Sequence, residues 1–279
     1  MKNCENNKNK VKLSVVMATY NNATGHVLQQ AIDSVLQQSF SEFELIICDD
    51  ASTDDTWIML EQYVDRDSRI KIVRNPINRK AGYARNRAIE LSSGEYIAIM
   101  DADDVLNPQR FERQIDFLDA NLEYGFVGCY AQFFHNTVGD EDEVYRLSQK
   151  PLAEELLFSL PFIHASCVFR REVLEKVGGY DIRPVRFRVE DYDLLLRVYE
   201  AGYRGANIPE VLYYIRRDEG QYKRRKYRYR FNEVSMKCRA CKNLNIGYRG
   251  WLYVVKPLVV GLIPIWLLRI LQDKYYKKL

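Results

Sequence analysis

The stretch Tyr96-Ile-Ala-Ile-Met-Asp-Ala-Asp-Asp104 joins a strand-like apolar run to an acidic turn. Its three carboxylates fall within four residues and repel one another unless a cation joins them. Oxygen ligands suit Mg²⁺ or Mn²⁺, which complete their coordination with water and substrate phosphates. The turn therefore predicts a divalent-metal site. The alternative is an acidic turn that only caps the following helix, which is predicted at residues 108–120.

On both sides of this stretch, apolar runs of strand length alternate with runs of helical period. Strands are predicted at residues 13–18, 44–48, 70–73 and 96–100, and helices at 27–38, 56–64, 82–91 and 108–120. This order predicts the α/β class, with a mainly parallel, Rossmann-like sheet flanked by helices. Such sheets bind ligands at the carboxyl ends of their strands, so we expect the chemistry just after Ala18, Cys48 and Met100.

The second half of the body is less regular. Strands are predicted at residues 126–134, 164–169 and 211–215, and helices at 152–160 and 189–201. The chain has neither an internal repeat nor a low-complexity linker. We expect one domain over residues 1–215, of which 1–11 are a polar extension, and a distinct C-terminal region over 216–279.

Polar residues follow the first two predicted strands. Thr19-Tyr-Asn21 follows the first strand without the glycine fingerprint of dinucleotide-binding proteins, and the chain contains no P-loop motif. Asp49-Asp50 follows the second strand. An acid there accepts hydrogen bonds from a nucleoside or caps the next helix. The sequence therefore leaves both roles open for these two acids.

Two predicted helices begin with further candidate residues. Arg85 lies near the start of the third helix, where it is placed to pair with a phosphate or to hold one of the acids. Glu190-Asp-Tyr-Asp193 opens the helix at 189–201. Acids in a first turn are also favoured by the helix dipole, so this position is ambiguous by itself.

Charge is distributed unevenly along the chain. Residues 1–200 carry a net charge of −10, whereas residues 201–279 carry +13. This asymmetry predicts that the C-terminal region meets an anionic surface. The six cysteines include only one C-x-x-C pair, Cys238-Arg-Ala-Cys241, which favours free thiols over a zinc site. Residues 1–12 are polar and resemble no cleaved signal, so we expect a reducing, cytoplasmic location.

The C-terminal region combines a basic run at 222–230 with an apolar run at 251–271. Twenty-one residues are enough to span a bilayer, but Pro257 and Pro264 favour a broken or interfacial segment. We expect contact with the membrane surface, either spanning or lying flat, and the alternative is an apolar helix packed on the domain. Nucleic acid is not expected as a partner, because no RNA-binding motif accompanies the basic run.

Together these residues resemble a family 2 glycosyltransferase with the GT-A fold, of the inverting type that builds bacterial surface polysaccharides. The resemblance covers residues 12–215. It rests on the order and spacing of several motifs: Ser14-Val-Val-Met-Ala-Thr-Tyr-Asn21, Cys48-Asp-Asp-Ala-Ser-Thr-Asp54, Ala84-Arg-Asn86, Asp101-Ala-Asp-Asp104, Gly178-Gly-Tyr-Asp181 and Glu190-Asp-Tyr-Asp-Leu194.

The resemblance implies roles for individual residues. Asp191 matches the catalytic base, and Asp103, with Asp101, matches the ligands of Mn²⁺ or Mg²⁺. The implied donor-binding residues are Thr19, Tyr20, Asn21, Asp50, Arg85, Asp101, Gly179 and His164. The implied partners are a nucleotide-sugar, for which we expect UDP, and a saccharide or lipid-linked saccharide acceptor. The implied location is the inner face of the cell membrane.

One departure from the family pattern and two alternative functions remain open. Many members carry a His after the strand that corresponds to 211–215, and this chain has none there. Asp218 could replace it as a ligand, or Arg216 and Arg217 could hold the pyrophosphate. The alternative functions are a nucleotidyltransferase, which would need a glycine-rich, basic loop after the first strand, and a catalytically inactive sugar-nucleotide-binding module.

Overall fold

The computed structural model describes residues 11–141, 143–217 and 226–264. The strands are β1 Leu13–Thr19, β2 Phe43–Asp49, β3 Ile70–Arg74, β4 Tyr96–Asp101, β5 Val105–Leu106, β6 Phe126–Phe134, β7 Val144–Tyr145, β8 Val168–Arg170 and β9 Gly205–Arg216. The helices are α1 Val27–Leu36, α2 Thr56–Arg66, α3 Ala81–Glu90, α4 Arg110–Ala120, α5 Ala153–Phe158, α6 Arg171–Val177, α7 Glu190–Glu200, α8 Tyr229–Asn243 and α9 Tyr248–Leu262.

All described strands belong to one sheet, in the order β3-β2-β1-β4-β8-β6-β9-β5, with β7 paired to β6. The first four strands in that order are parallel, β6 and β9 are parallel to each other, and β8, β5 and β7 run the other way. The predicted mainly parallel sheet is confirmed. In the register, Ala18 of β1 lies between Cys48 and Asp101, so the carboxyl ends of β1, β2 and β4 meet at one edge.

The sheet is buried on both faces. Along β1, Val15 and Met17 belong to one apolar cluster together with α1 and α4, whereas Val16 belongs to the other with α3 and α7. Side chains alternate between the two faces of a strand, so a strand covered on both sides must be apolar throughout. This explains the continuous apolar runs in the sequence.

The strand predicted at residues 164–169 is wrong in its first half. His164–Ser166 forms a 3₁₀ turn, and β8 begins only at Val168. The reason is that two buried side chains of α4 donate hydrogen bonds to backbone carbonyls of the turn. Arg110 donates to the Ala165 oxygen at 3.2 Å, and Gln114 donates to the Ser166 oxygen at 2.8 Å. The turn places His164 at the edge of the sheet instead of within it.

The structure also contains elements that the sequence did not predict. β9 is longer than the predicted 211–215, and β5, β7 and α6 were not predicted. Two-residue strands are too short to show a period, and α6 has only seven residues. β5 matters most, because its pairing with β9 holds the acidic turn.

Helices α8 and α9 pack on the body of the protein. Met236, Ala240 and Cys241 of α8 are buried in the same cluster as the apolar face of α7, and Val254 of α9 is buried with them. In the described residues, no helix has both the length and the apolar character needed to cross a bilayer. Parts of the predicted basic run (222–225) and apolar run (265–271) lie outside the described residues.

Asp193 of α7 connects the start of that helix to its surroundings. It is fully buried, accepts hydrogen bonds from Arg197 at 2.8 Å and from Arg239 of α8 at 2.7 Å, and is ion-paired with Arg186 at 2.8 Å. A buried carboxylate with this many charged donors is a structural group. Asp193 is therefore not a candidate for proton transfer.

Candidate active site

The acidic turn after β4 brings three carboxylates together. One oxygen of each of Asp101, Asp103 and Asp104 lies within 4.8 Å of the others. Asp104 is buried, and burial, followed by the charges of Asp103 and Asp101, raises the pKa of its carboxyl well above its usual value. Three oxygen ligands at this separation fit a hard divalent cation, which would relieve their repulsion.

β9 fixes the shape of the acidic turn. The backbone N–H of Arg216 donates to Asp104 at 2.9 Å, and its guanidinium Nε donates to the carbonyl of Asp103 at 2.9 Å. Val105 and Leu106 pair with Tyr214 and Tyr213 of β9 just beyond the turn. The turn is therefore held by the backbone ladder as well as by its own side chains.

Arg85 joins the acidic turn to the start of α7. Its guanidinium donates to Asp101 at 2.5 Å and to Asp191 at 2.8 Å, and the side chain is buried. Burial alone would lower the pKa of Arg85, but the charges of Asp191 and Asp101 raise it well above its usual value. Arg85 therefore stays positively charged at neutral pH between the two carboxyl groups of the Asp101–Arg85–Asp191 bridge.

Asp191 has one side open and the other packed against charged or polar groups. Its side chain is 40% exposed, and Oδ1 lies 3.7 Å from Nδ1 of His164. Burial by itself raises the pKa of Asp191, but His164 and Arg85 lower it below the usual carboxyl value. Asp191 is therefore ionised at neutral pH and able to accept a proton.

His164 is a buried neutral imidazole beside Asp191. Burial, reinforced by Arg85, lowers the pKa of its ring although Asp191 acts to raise it. Its Nε2 lies 2.9 Å from the hydroxyl of Tyr180. If that hydroxyl donates to Nε2, the proton of the ring sits on Nδ1 and faces Asp191. His164 thus lies beside Asp191, while its role in donor binding stays a prediction.

Gly179 is required for a close approach between a loop and α3. It has a φ of +65°, and a Cβ there would lie 2.6 Å from Oδ1 of Asn86. Asn86 accepts from the backbone N–H of Tyr180 at 2.8 Å and donates to its carbonyl at 2.9 Å. Gly179 thus places the Tyr180 ring, whose centroid lies 5.6 Å from the guanidinium of Arg85.

The residues after β1 and β2 form a second group at the same edge. Asp50 is buried and accepts from Asn75 at 2.8 Å, from the backbone of Arg79 at 2.9 Å and from that of Lys80 at 2.6 Å. Asn21 accepts from the Thr53 backbone at 2.8 Å. These contacts shape loops, so direct base contact by Asp50 stays a prediction.

The side chains of Thr19 and Tyr20 differ in how far they are open to a ligand. Thr19 is buried, and its hydroxyl accepts from Asn22 at 3.2 Å. Tyr20 is 46% exposed, so its ring is open to a flat ligand. The structure therefore brings Arg85, Asp101, His164 and Asp191 into direct contact, while Thr19, Tyr20, Asn21 and Asp50 lie apart from them around β1 and β2.

The two arginines considered for the pyrophosphate are already engaged. All three guanidinium nitrogens of Arg216 donate within the protein, to Asp103, His135 and Gln30. Arg217 forms ion pairs with Glu141 and Glu143. Asp218 lies outside the described residues. The structure therefore gives no support to a pyrophosphate role for either arginine.

Sequence reasoning assigned no role to Tyr180 or Tyr213. The hydroxyl of Tyr213 accepts from the backbone of Asp101 at 3.3 Å and donates to Asp104. Tyr180 was visible in the Gly178-Gly-Tyr-Asp181 motif, but its contact with His164 depends on the 3₁₀ turn. The cysteines behave as predicted: every described cysteine is a free thiol.

Comparison with known proteins identifies the class. The model of the family described as glycosyl transferase family 2 matches residues 14–178. A putative glycosyltransferase of Bacillus subtilis, EpsE, is 35% identical over 272 residues, covering 96% of this chain and 94% of its own. The chain therefore belongs to glycosyl transferase family 2, as its motifs predicted.

Two further proteins are similar over most of the chain. The Escherichia coli UDP-Glc:α-D-GlcNAc-diphosphoundecaprenol β-1,3-glucosyltransferase WfaP is 27% identical over 216 residues, covering 77% of this chain and 81% of its own. The mannosyltransferase PcManGT of Pyrobaculum calidifontis, solved with GDP-Man and Mn²⁺, superposes with a TM-score of 0.66 at 21% identity, covering 90% of this chain and 72% of its own. The predicted GT-A fold is confirmed.

Proposed function

We propose that this chain transfers a sugar from a nucleotide-sugar to an acceptor hydroxyl with inversion at the anomeric carbon. The observation that carries the proposal is the Asp101–Arg85–Asp191 bridge, in which one buried guanidinium joins the acidic turn to the acid that opens α7. Such a transfer needs charge stabilisation beside the leaving group and a base beside the nucleophile. The bridge holds the acidic turn, which would stabilise the charge of the leaving group, next to the proposed base Asp191.

On the donor side, Asp103 and Asp101 are the residues that would hold Mn²⁺ or Mg²⁺, and a cation there supplies charge that neutralises the leaving diphosphate. The Mn²⁺ of PcManGT supports this assignment. We propose a UDP-sugar as donor, in line with the name of WfaP. The exposed ring of Tyr20 would stack on the base, next to Thr19, Asn21 and the carboxylate of Asp50.

On the acceptor side, Asp191 takes the proton of the attacking hydroxyl. Its lowered pKa keeps it ionised, and its open side admits an acceptor. His164 and Arg85 hold the carboxylate in place from its buried side. Attack from the face opposite the leaving diphosphate, with proton transfer to Asp191, inverts the anomeric carbon.

The acceptor and the pathway follow from the relatives. WfaP is named for a lipid-linked diphosphate acceptor, and we propose a saccharide or lipid-linked saccharide in surface-polysaccharide or glycolipid synthesis. Family membership argues against the nucleotidyltransferase alternative. The inactive binding module is the alternative that only an activity measurement separates from an enzyme.

We also propose that the protein works at the inner face of the cell membrane, lying on the surface through α9. One side of α9 is packed, while Leu252, Val255 and Val259 on the other side are 66%, 47% and 62% exposed. These residues recur at helical spacing and form an apolar stripe. The net charge of +13 over residues 201–279 favours a bilayer with anionic headgroups as its partner.

Flotation with vesicles tests the membrane proposal. The full-length protein should float with phosphatidylglycerol-containing vesicles, and Leu252→Glu combined with Val259→Glu should remain at the bottom of the gradient. Both side chains face solvent, so the double variant should keep the melting temperature of the wild type. Equal flotation of the two proteins would contradict the role of α9.

Nucleotide-sugar hydrolysis tests the enzymatic proposal. The full chain is incubated with UDP-, GDP- and dTDP-sugars and Mn²⁺, and release of the nucleoside diphosphate is measured. We expect the protein to hydrolyse sugars of only one of these three nucleotides, and we expect that nucleotide to be UDP. Binding of a nucleotide-sugar without any turnover, with a range of saccharide acceptors present, would support the inactive binding module instead.

A further inference from the structure

A second cavity adjoins the site on the side of α7 and α8. It has a volume of about 550 Å³. The residues that line it include Lys80, Tyr83, Phe187, Glu190, Arg228 and Tyr229. This is the size of a small-molecule site. Neither the residues above nor the sequence motifs assign a ligand to it.

The cavity lies next to the proposed base and not at the acidic turn. Glu190, which lines it, directly precedes Asp191, and Gly82, which also lines it, is one helical turn before Arg85. None of the three acids of the turn is among its lining residues. A ligand held here therefore lies on the acceptor side of the site, apart from the leaving diphosphate of the donor.

The cavity has an excess of positive charge. Within the described residues, no carboxylate lies within ion-pair distance of Arg79, Lys80 or Arg228, although all three line the cavity. Its other two arginines, Arg183 and Arg186, are ion-paired to Asp181. Three cations without acidic partners in a concave site favour an anionic ligand.

Aromatic rings lie beside these cations. The guanidinium of Arg79 lies 4.0 Å from the ring centroid of Tyr83, and Arg228 donates to the hydroxyl of Tyr229 at 2.8 Å. Phe187 adds an apolar wall. A site that combines cations with apolar rings suits an anion attached to an organic group better than it suits a bare inorganic ion.

Lys80 has a backbone conformation that favours glycine. Its φ is +76° and its ψ is 165°, a region that residues with a Cβ rarely occupy. Asp50 maintains this conformation by accepting from the backbone N–H groups of Lys80 and Arg79. Glycine would remove the strain, so a lysine at this position indicates that the ammonium group is used.

From these observations we propose that the cavity binds the phosphate or diphosphate ester group of the acceptor. Lys80 and Arg228 bind its oxygens, and Tyr83, Phe187 and Tyr229 contact the organic group beside it. This assignment rests on the proposed transferase function, because it places the ester next to Asp191. The acceptor is then a molecule that carries a phosphate or diphosphate ester.

Binding of farnesyl diphosphate to the full chain tests the proposal. Calorimetry is performed with saturating UDP and Mn²⁺, which occupy the donor side, and inorganic pyrophosphate is titrated separately. The wild type should bind farnesyl diphosphate more tightly than pyrophosphate. Lys80→Gly and Arg228→Ala should each lower the affinity for farnesyl diphosphate about 10-fold, the effect of losing one charge-assisted contact. Arg113→Ala removes an exposed charge outside the cavity and should leave the affinity for farnesyl diphosphate unchanged.

The controls separate this proposal from the proposed function. UDP affinity, measured alone, should be the same in all variants, and the melting temperature of Lys80→Gly should not fall below that of the wild type. Absence of farnesyl diphosphate binding, or equal binding of pyrophosphate, would overturn the acceptor-ester assignment. A matching loss of UDP affinity in Lys80→Gly would make the cavity part of the donor site. If the wild type binds none of UDP, GDP and dTDP, the proposed function itself fails.

Discussion

Replacing Asp191 by Asn removes a proton acceptor at nearly constant size. The Asn oxygen still accepts from Arg85, and Arg85 keeps its contact with Asp101 at 2.5 Å, so the bridge loses one charge and not its geometry. We expect a stability loss of about 1 kcal/mol, because the part-buried hydrogen bond from Arg85 is weakened and not lost. The fold and the acidic turn should persist.

The effect on turnover should be much larger than the effect on binding. A positioned general base contributes roughly 10²–10⁴-fold, which corresponds to about 3–5 kcal/mol of the activation barrier. We therefore expect kcat of Asp191→Asn to fall by that factor while the affinity for the nucleotide-sugar stays within about threefold. Calorimetry gives the donor affinity, and a coupled assay for nucleoside diphosphate gives kcat.

A purely structural role for Asp191 predicts a different result. An acid that only complements the helix dipole contributes about 0.3–1 kcal/mol to stability and nothing to turnover. Glu172, in the first turn of α6, is the matched control, and Glu172→Gln should show only that small loss. Turnover of Asp191→Asn near the wild-type value would refute the base role, and lost donor binding in a folded protein would make Asp191 a binding residue.

The pH dependence of turnover supplies a second readout for Asp191. Because its folded pKa lies below the usual carboxyl value of about 3.9, the base stays ionised as the pH falls toward that value. We expect kcat to show no loss from this group between about pH 7 and pH 5. A loss of activity with an apparent pKa near 6 would show that another group limits the reaction.

Three further predictions concern the metal, the Asp50 loop and Gly179. EDTA should abolish transfer and Mn²⁺ or Mg²⁺ restore it, whereas Asp103→Ala should stay folded and inactive; full activity in EDTA contradicts the metal role. Asp50→Asn should cost about 1–3 kcal/mol in a denaturant titration, because the amide NH₂ replaces one of the two oxygens that accept from Asn75 and from the backbone of Arg79 and Lys80. Gly179→Ala should lower the melting temperature more than Gly139→Ala, since both have positive φ but only Gly179 meets a neighbour within 4 Å.

The sequence predicted the elements with a clear period and the motifs that follow them. The buried strands β1, β2 and β4 are continuous apolar runs, so the edge where their carboxyl ends meet could be predicted together with Asp50 and Asp101. Local pattern also identified Asp191, but only as an ambiguous first-turn acid. Its pairing with Arg85, 106 residues away in sequence, is a tertiary contact that no local pattern records.

The errors have a common physical origin. The strand predicted at 164–169 contains the apolar run Cys167–Phe169, but the side chains of Arg110 and Gln114 bind the carbonyls of Ala165 and Ser166, so that a distant helix sets the local conformation. The engagement of Arg216 and Arg217 likewise depends on partners in α1, in the segment between β6 and β7, and in the turn after β4. Side chains that bind backbone carbonyls of another element override local propensity, and sequence periodicity contains no information about them.

The three arginines around Asp193 have a mechanical consequence. They tie α7, which carries Asp191, to α8 through Arg239, and α9 packs on α8. The helix proposed to rest on the bilayer is thus connected through α8 to the helix that carries the base. A protein docked through α9 would hold its cleft at a constant height and tilt above the lipid headgroups. That height would then determine which acceptors reach the base, according to the distance between the lipid of the acceptor and its reactive hydroxyl.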